Sequence, residues 1–472
     1  MSEFVLKQKS KLPVILGGAG LLIFTIATLV AVTQLDKIRQ FFGQAAGEEA
    51  NIVVFTQNIT GAISRPWRHL AQGGEEANWR LEPLQAQVAT LKPAYIRVDH
   101  IYDFYEIVQG SPGNLSFDFS KFDLLLNDIL ATGAKPYIAL SYMPPAISAG
   151  DIVALPQNWN DWSLTVQKTV EHVSGTRGIN DVYYEVWNEP DLFGGFKYYG
   201  DKSYLTLYSY AVAGANRAGG VKPFKIGGPA ITALYKNWFD ALARAAVQNN
   251  LRLDFFSWHR YNHDVDQYRK DMADVQNWLQ KYPSLANIEL HITEWGHDSN
   301  NHPGYDNNYG AAHTVAGAIE MVGVVDKAFV FEIQDGKDAT NKPYWGRWGL
   351  FTHQSAGAKP KPRYWALRML DRIGLQRLQL FGKGSWVKAL AALSTEGNPQ
   401  VVLANYDQAG KHSELVPVTF QDIIPGNYVV KKEFLSGQKS QENVATTSTA
   451  LRITVPMTAN SVGFVELIKQ EN

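Results

Sequence analysis

The sequence predicts a mixed α/β protein: a (β/α)8 barrel, then a C-terminal all-β sandwich, with a transmembrane helix ahead of both. Three observations predict it. Strand-like and helix-like stretches alternate from about residue 51 to residue 374. After Gly374 the long helical patterns stop and short β-runs take over. Near the start stands a run of 24 uncharged residues, Leu12 to Leu35.

That run is long enough to cross a bilayer as a helix, at about 1.5 Å of rise per residue. No polar face interrupts it, which sets it apart from a buried soluble helix. Lys7, Lys9 and Lys11 precede it, and positive charge stays on the cytoplasmic side. A cleaved signal peptide has a shorter apolar core with a small-residue site close behind it. Here the nearest such stretch, Gly43-Gln44-Ala45-Ala46, is far downstream. Residues 1–11 therefore read as a cytoplasmic N-terminus, 12–35 as an uncleaved signal anchor in the lipid bilayer and 36–50 as a stalk. The body is expected outside the cytoplasm, in the periplasm or at the cell surface.

Within the barrel region, 51–374, the strand patterns are Ile52–Phe55 (or the run just after it), Ala94–Val98, Lys135–Leu140, Val182–Trp187, Phe224–Gly228, Leu253–His259, Ile288–Thr293 and Ala328–Ile333. Amphipathic helical patterns lie between them, among them Phe119–Ala131, Trp162–Val173, Ser203–Ala218, Val265–Lys281 and Tyr309–Val324. An open doubly wound sheet is the alternative arrangement. No Gly-x-Gly-x-x-Gly follows the first strand, so a dinucleotide fold has no support. In the sandwich region, 375–472, the β-runs are Trp386–Leu393, Gln400–Asn405, Glu414–Phe420, Asn427–Phe434, Leu451–Val455 and Ser461–Ile468.

Composition narrows the function. With 44 basic and 45 acidic residues the formal charge is −1, which provides no overall field to attract nucleic acid. Cysteine is absent, so there is no disulfide framework, Cys-ligated zinc, iron–sulfur cluster or thiol nucleophile. His297, His302 and His313 form no His-Glu-x-x-His, and neither a metal site nor a cofactor is expected. The 12% aromatic content supplies flat apolar platforms of the kind that sugar rings stack on.

In a barrel the active site lies at the C-terminal ends of the strands. The fourth strand ends Trp187-Asn188-Glu189-Pro190 and the seventh ends Thr293-Glu294-Trp295-Gly296. Two glutamates at the ends of two barrel strands can face one pocket. Glycoside hydrolysis needs such a pair, one carboxylic acid to protonate the leaving oxygen and one carboxylate to attack the anomeric carbon. Aromatic neighbours desolvate a carboxyl group and raise its pKa, which suits the acid.

Asn-Glu-Pro on strand four with Thr-Glu-aromatic on strand seven resembles the clan of retaining (β/α)8 glycosidases. Within it the chain is similar to glycoside hydrolase family 39, which holds β-xylosidases, α-L-iduronidases and bacterial exopolysaccharide hydrolases. The supporting segments are Tyr95-Ile96-Arg97, Glu185 to Asp191, Ile226-Gly227-Gly228-Pro229-Ala230, His259-Arg260-Tyr261 and His291 to Trp295. Gly349-Leu350 and the later Lys359-Pro360-Lys361-Pro362 fit the family's strand-eight exit. The resemblance implies Glu189 as general acid/base and Glu294 as nucleophile. It implies that Asn188 binds the sugar 2-hydroxyl, that Arg97 keeps Glu294 ionised, and that His259 and Tyr261 orient the carboxylates. Two positions depart from the family. Asp99 stands where the family has a sugar-binding His, and Phe331 where much of the clan has a Trp floor. Trp345 and Trp348 are alternative platforms. Trp295, Tyr305, Asp298 and Asp335 are further pocket candidates. The resemblance implies an oligo- or polysaccharide partner. A catalytically idle glycan-binding or assembly protein and a transglycosylase remain alternative functions.

Overall fold

The computed structural model describes residues 47–74, 76–337 and 346–470. The expected N-terminus 1–11, the transmembrane segment 12–35 and stalk residues 36–46 lie outside the described residues. Among the described residues no helix is long and apolar enough to cross a membrane. From Ala50 onward the chain is one compact unit.

Eight parallel strands close into a barrel. In order they are His69–Gln72, Tyr95–Val98, Lys135–Leu140, Val182–Val186, Phe224–Ile231, Phe255–Tyr261, Glu289–Gly296 and Lys327–Phe331. The eighth pairs with the first, Phe329 opposite His69, which closes the ring. Helices cover the outside, so the strands are buried on both faces and read as near-continuous apolar runs. Val182–Val186 is buried at every residue. Inside, Tyr137, Tyr183, Phe255 and Phe329 fill the barrel with aromatic rings. At the N-terminal end of the strands Glu289 accepts hydrogen bonds from the Tyr183 hydroxyl at 2.8 Å and Lys327 Nζ at 3.0 Å, and pairs with Lys225. Polar side chains thus seal that end. The opposite end, where the strands finish, stays open for a site.

The helices begin where local chemistry favours it. Asn158, Ser203 and Asn307 each accept a backbone N–H with the side chain and start helices Trp159–Val170, Tyr204–Arg217 and Asn308–Met321. The last of these is buried from Gly310 through Met321. A surface helix would keep one wet face. This one is covered on its outer side by strands Val387–Leu393, Pro399–Asn405 and Ser461–Lys469 of the second region. Leu390, Val402, Val462 and Phe464 from those strands join the core that the barrel helices share.

The second region is one nine-stranded sheet. Leu451, Ile453 and Val455 near one end of the strand order share a buried cluster with Tyr428, Val430 and Phe434 near the other. The sheet therefore curls over itself and encloses a core, as a sandwich does.

The expected boundary between the two regions needs correction at the N-terminal side. Ile52–Phe55 is not a barrel strand. Strand Ile52–Ala62 lies within the nine-stranded sheet, antiparallel to Gln376–Phe381 and parallel to Glu414–Gln421. Its first residues alternate buried and half-buried, the signature of a strand packed on one face. The first barrel strand, His-Leu-Ala-Gln, is four residues long and half polar, so no apolar run marks it. Two sheet strands, Gln376–Phe381 and Lys439–Thr446, also escape the pattern. The latter is an edge strand, mostly exposed, with no apolar alternation to find.

Candidate active site

The site forms at the open end of the barrel. Strand four ends at Val186, and the chain then takes left-handed backbone at Trp187 (φ 76°) and Glu189 (φ 45°). Such conformations cost about 1–3 kcal/mol each and persist only where the surroundings hold them. Here the Glu189 N–H donates to Ala230 O at 2.9 Å, and the Glu189 carbonyl accepts from the N–H groups of Leu192 and Phe193. The backbone is pinned, and the side chain is presented to the pocket.

Arg97 on strand two organises the floor. It is wholly buried and donates three hydrogen bonds: Nε to Glu185 at 2.7 Å, Nη1 to Glu294 at 2.9 Å and Nη2 to Asn188 Oδ1 at 2.7 Å. Asn188 in turn donates from Nδ2 to the Tyr142 hydroxyl at 2.9 Å. Strand six supplies His259 and Tyr261, two residues apart and so on one face. The Tyr261 hydroxyl donates to Glu294 Oε2 at 2.8 Å. His259 Nδ1 lies 2.8 Å from Glu189 Oε1 and 3.4 Å from Glu294 Oε2. A carboxylate oxygen from each glutamate and a ring nitrogen of His259 fall within 4.8 Å of one another. That spacing would also suit a metal, but both Glu294 oxygens already accept hydrogen bonds from Arg97 and Tyr261.

The charges act on one another. Burial pushes the Glu294 carboxyl above its ordinary value; His259 and Arg97 pull it down, while Glu189 and Asp99 push it further up. Burial alone would lower His259, but Glu294 and Glu189 outweigh it and raise the imidazole. Burial, with Glu294 beside it, holds the Tyr261 phenol well above its usual range, so it remains a donor.

A cleft of about 470 Å³ opens over the pair. Tyr261, Phe331 and Trp348 line it with Glu189 and Glu294. The Phe331 and Trp348 rings meet edge-on at 5.8 Å. Leu192 and Phe193 form an apolar lip at the mouth, 60% and 42% exposed.

Most of the expected site residues come together: Glu189, Glu294, Asn188, Arg97, His259, Tyr261, Phe331 and Trp348. Asp99 follows strand two, close enough to Arg97 and His259 to feel their charge. Trp345 lies outside the described residues. Trp295 is a correction. It is fully buried behind strand seven, with Tyr268 and His313 around it and Gly317 of the covering helix packed against its ring. A register shift in strand seven between Ile292 and Glu294 is the reason: it turns Glu294 in and leaves Trp295 facing out. Asp335 is tied to Lys361 at 2.7 Å, and the Tyr305 hydroxyl to the backbone of Asp298 at 2.6 Å, so both serve the loops. Sequence reasoning missed Tyr142 and Glu185. Glu185 stands two residues after the inward-facing Tyr183 on strand four, and that parity was the signal for it.

Known proteins share this fold. A beta-xylosidase from Caldicellulosiruptor saccharolyticus is 27% identical over 331 residues, which is 63% of this chain and 66% of that protein. The chain thus spans just under two thirds of that relative's length. The crystal structure of a monomeric beta-xylosidase from Caulobacter crescentus superposes with a TM-score of 0.73 at 20% identity, over 89% of this chain and 100% of that one. A family 39 enzyme from Xanthomonas axonopodis pv. citri gives 0.71 at 18% identity, over 91% and 99%. At such identities the likeness is one of fold. The family model for glycosyl hydrolases family 39 matches residues 53–412, and the chain belongs to that family.

Proposed function

We propose that the chain is a retaining glycoside hydrolase that cleaves an oligo- or polysaccharide by double displacement. The observation that carries the reading is the separation of the two glutamates, oxygen to oxygen within 4.8 Å. Double displacement uses carboxyl groups about 5–5.5 Å apart, whereas single displacement needs about 6.5–9.5 Å to admit a water. Glu294 Oε attacks the anomeric carbon and forms a glycosyl ester as the glycosidic C–O bond breaks. Glu189 gives its proton to the departing oxygen. Glu189, now a carboxylate, then takes a proton from water, whose oxygen displaces Glu294. Attack requires Glu294 as the anion, and the donors on both of its oxygens, Arg97 and Tyr261, favour that form.

The test is stereochemical and mutational. Hydrolysis followed by proton NMR should release first the anomer of the starting configuration. Glu294→Gln should lose turnover by at least about a thousandfold with the circular dichroism spectrum unchanged. Glu189→Gln should lose most activity on glycosides with poor leaving groups and much less on acidic aryl glycosides, which depart without a proton. Inverted product, or full activity in either variant, would refute the assignment.

A transglycosylase reading is favoured by one feature, the exposed Leu192 and Phe193 beside Glu189, which offer an acceptor sugar an apolar seat. Products elongated by added acceptor would identify it. The location is proposed on the sequence: three lysines before an uncharged run support a body outside the cytoplasm. Protease added to cells whose outer layers are opened and whose cytoplasmic membrane is sealed should degrade the body, and protection of it would overturn the placement.

A further inference from the structure

Glu185 is a buried carboxylate beneath the cleft, and the hydrolysis mechanism does not use it. Its chain neighbours Tyr184 and Val186 join the outer core under the helices, while Tyr183 joins the rings inside the barrel. Glu185 therefore faces the barrel interior. Its partners on the flanking strands are Ala139 and Gly227, which offer no polar side chain. Glu185 is wholly buried, and among the described residues one donor reaches it: Arg97 Nε, 2.7 Å from Oε2. Oε1 is buried with no hydrogen-bond partner among the described residues. A half-satisfied anion in a dry interior costs stability, and that cost calls for a role beyond packing.

Two effects follow from the contact with Arg97. The first is aim. Nε is the guanidinium N–H nearest the side-chain stem, and holding it fixes the roll of the planar group. Nη1 then points at Glu294, 2.9 Å away, and Nη2 at Asn188 Oδ1, 2.7 Å away. The second is charge. One guanidinium serves two carboxylates, Glu185 and Glu294. Alone with Glu294, it would lend that group its whole positive charge and hold it as a weaker base. The other groups that act on Glu294 are His259, Glu189, Asp99 and Tyr261. Around Glu185 stand the Tyr137 and Tyr204 phenols. Burial holds both phenols far above their usual range, so they stay neutral.

We propose that Glu185 is a positioning residue: it aims the Arg97 guanidinium and takes up part of its charge, which leaves Glu294 a stronger base than Arg97 alone would allow. The assignment rests on the glycosidase reading only for what Glu294 does with that basicity.

The test is a carbon-13 NMR titration of the full chain in detergent, with glutamate labelled at the side-chain carboxyl carbon. The Glu294 signal is the one missing from Glu294→Gln. Glu185→Gln keeps an oxygen for Nε and removes the charge. In it the Glu294 midpoint should fall by about one pH unit, the scale of one charge acting across a shared guanidinium. Glu185→Met, which buries no unpaired amide, should move it the same way. Glu185→Asp, which retains the charge, should keep it near the wild-type value. The acid limb of kcat/KM on whichever 4-nitrophenyl glycoside the wild type cleaves should follow the midpoint. A purely structural anchor would lower yield and turnover without moving either. An unmoved or raised midpoint in Glu185→Gln and Glu185→Met, an equal fall in Glu185→Asp, or failure of all three variants to fold would overturn the proposal. The expected midpoints without turnover of any glycoside would sink the hydrolase reading and leave Glu185 assigned. Turnover with an unmoved midpoint would do the reverse.

Discussion

Glu294 is held by what donates to it. Arg97 binds one of its oxygens and Tyr261 the other. Burial and the nearby Glu189 work against the anion that the proposed attack requires. Removing a donor from an ionised carboxylate raises its pKa. Tyr261→Phe should therefore shift the acid limb of kcat/KM to higher pH, because more of the proposed nucleophile, Glu294, stays protonated there. It should also lower the plateau about 10- to 100-fold, and an unmoved acid limb would argue against Tyr261 as the anchor. The glutamates were legible in the sequence because a motif and a strand end coincide at each. Arg97, Asn188, His259 and Tyr261 were legible only through the family resemblance. Tyr142 was not legible at all: its role depends on strands three and four lying side by side, which no local pattern encodes. Trp295 shows the opposite failure, since proximity in sequence to a catalytic residue is proximity in space only on alternate positions of a strand.

Strand Ile52–Ala62 decides where the sheet domain begins. It sits between Gln376–Phe381 and Glu414–Gln421, with Ile52 and Val54 in the enclosed core. Deleting it would bare a row of backbone donors and acceptors on each flanking strand and open the core. A chain beginning at residue 64 should be insoluble or melt well below one beginning at residue 47, as read by gel filtration and thermal unfolding. Residues 375–472 expressed alone should likewise fail to give a cooperative transition. Equal melting of the two longer chains would show the strand to be dispensable. Most helices were readable from their periodicity to within a few residues, because the barrel covers one face of each. Helix Asn308–Met321 was also read, as Tyr309–Val324, although it is buried on both sides. The short strand His69–Gln72 has too few residues to show any period.

Over the whole molecule, buried neutral histidines tie stability to pH. His291 and His313 are fully buried. Burial, with Lys327 beside it, pushes His291 down to about 4 against the pull of Glu289; burial, opposed by the Asn262 carbonyl, pushes His313 down to about 3. An unfolded histidine titrates near about 6.5. Above that value both states are neutral and the contribution is complete. As pH falls below it the unfolded chain takes up protons first, and stability drops by at most about 1.4 kcal/mol per pH unit per histidine until the folded value is reached. From these two histidines the melting temperature should fall steadily from about pH 6.5 to 4.5. A His313→Gln chain should show a shallower fall, and an equal slope would remove that residue from the account. The placement of strand Ile52–Ala62 also governs the order of events at the ribosome. Val53 pairs with Phe381 and Ile52 with Val418, more than three hundred residues further on. All eight barrel strands are synthesised before either partner exists. The barrel can therefore assemble while its leading strand waits unpaired, an apolar edge open to aggregation, and the closing of that long loop is the natural last step of folding.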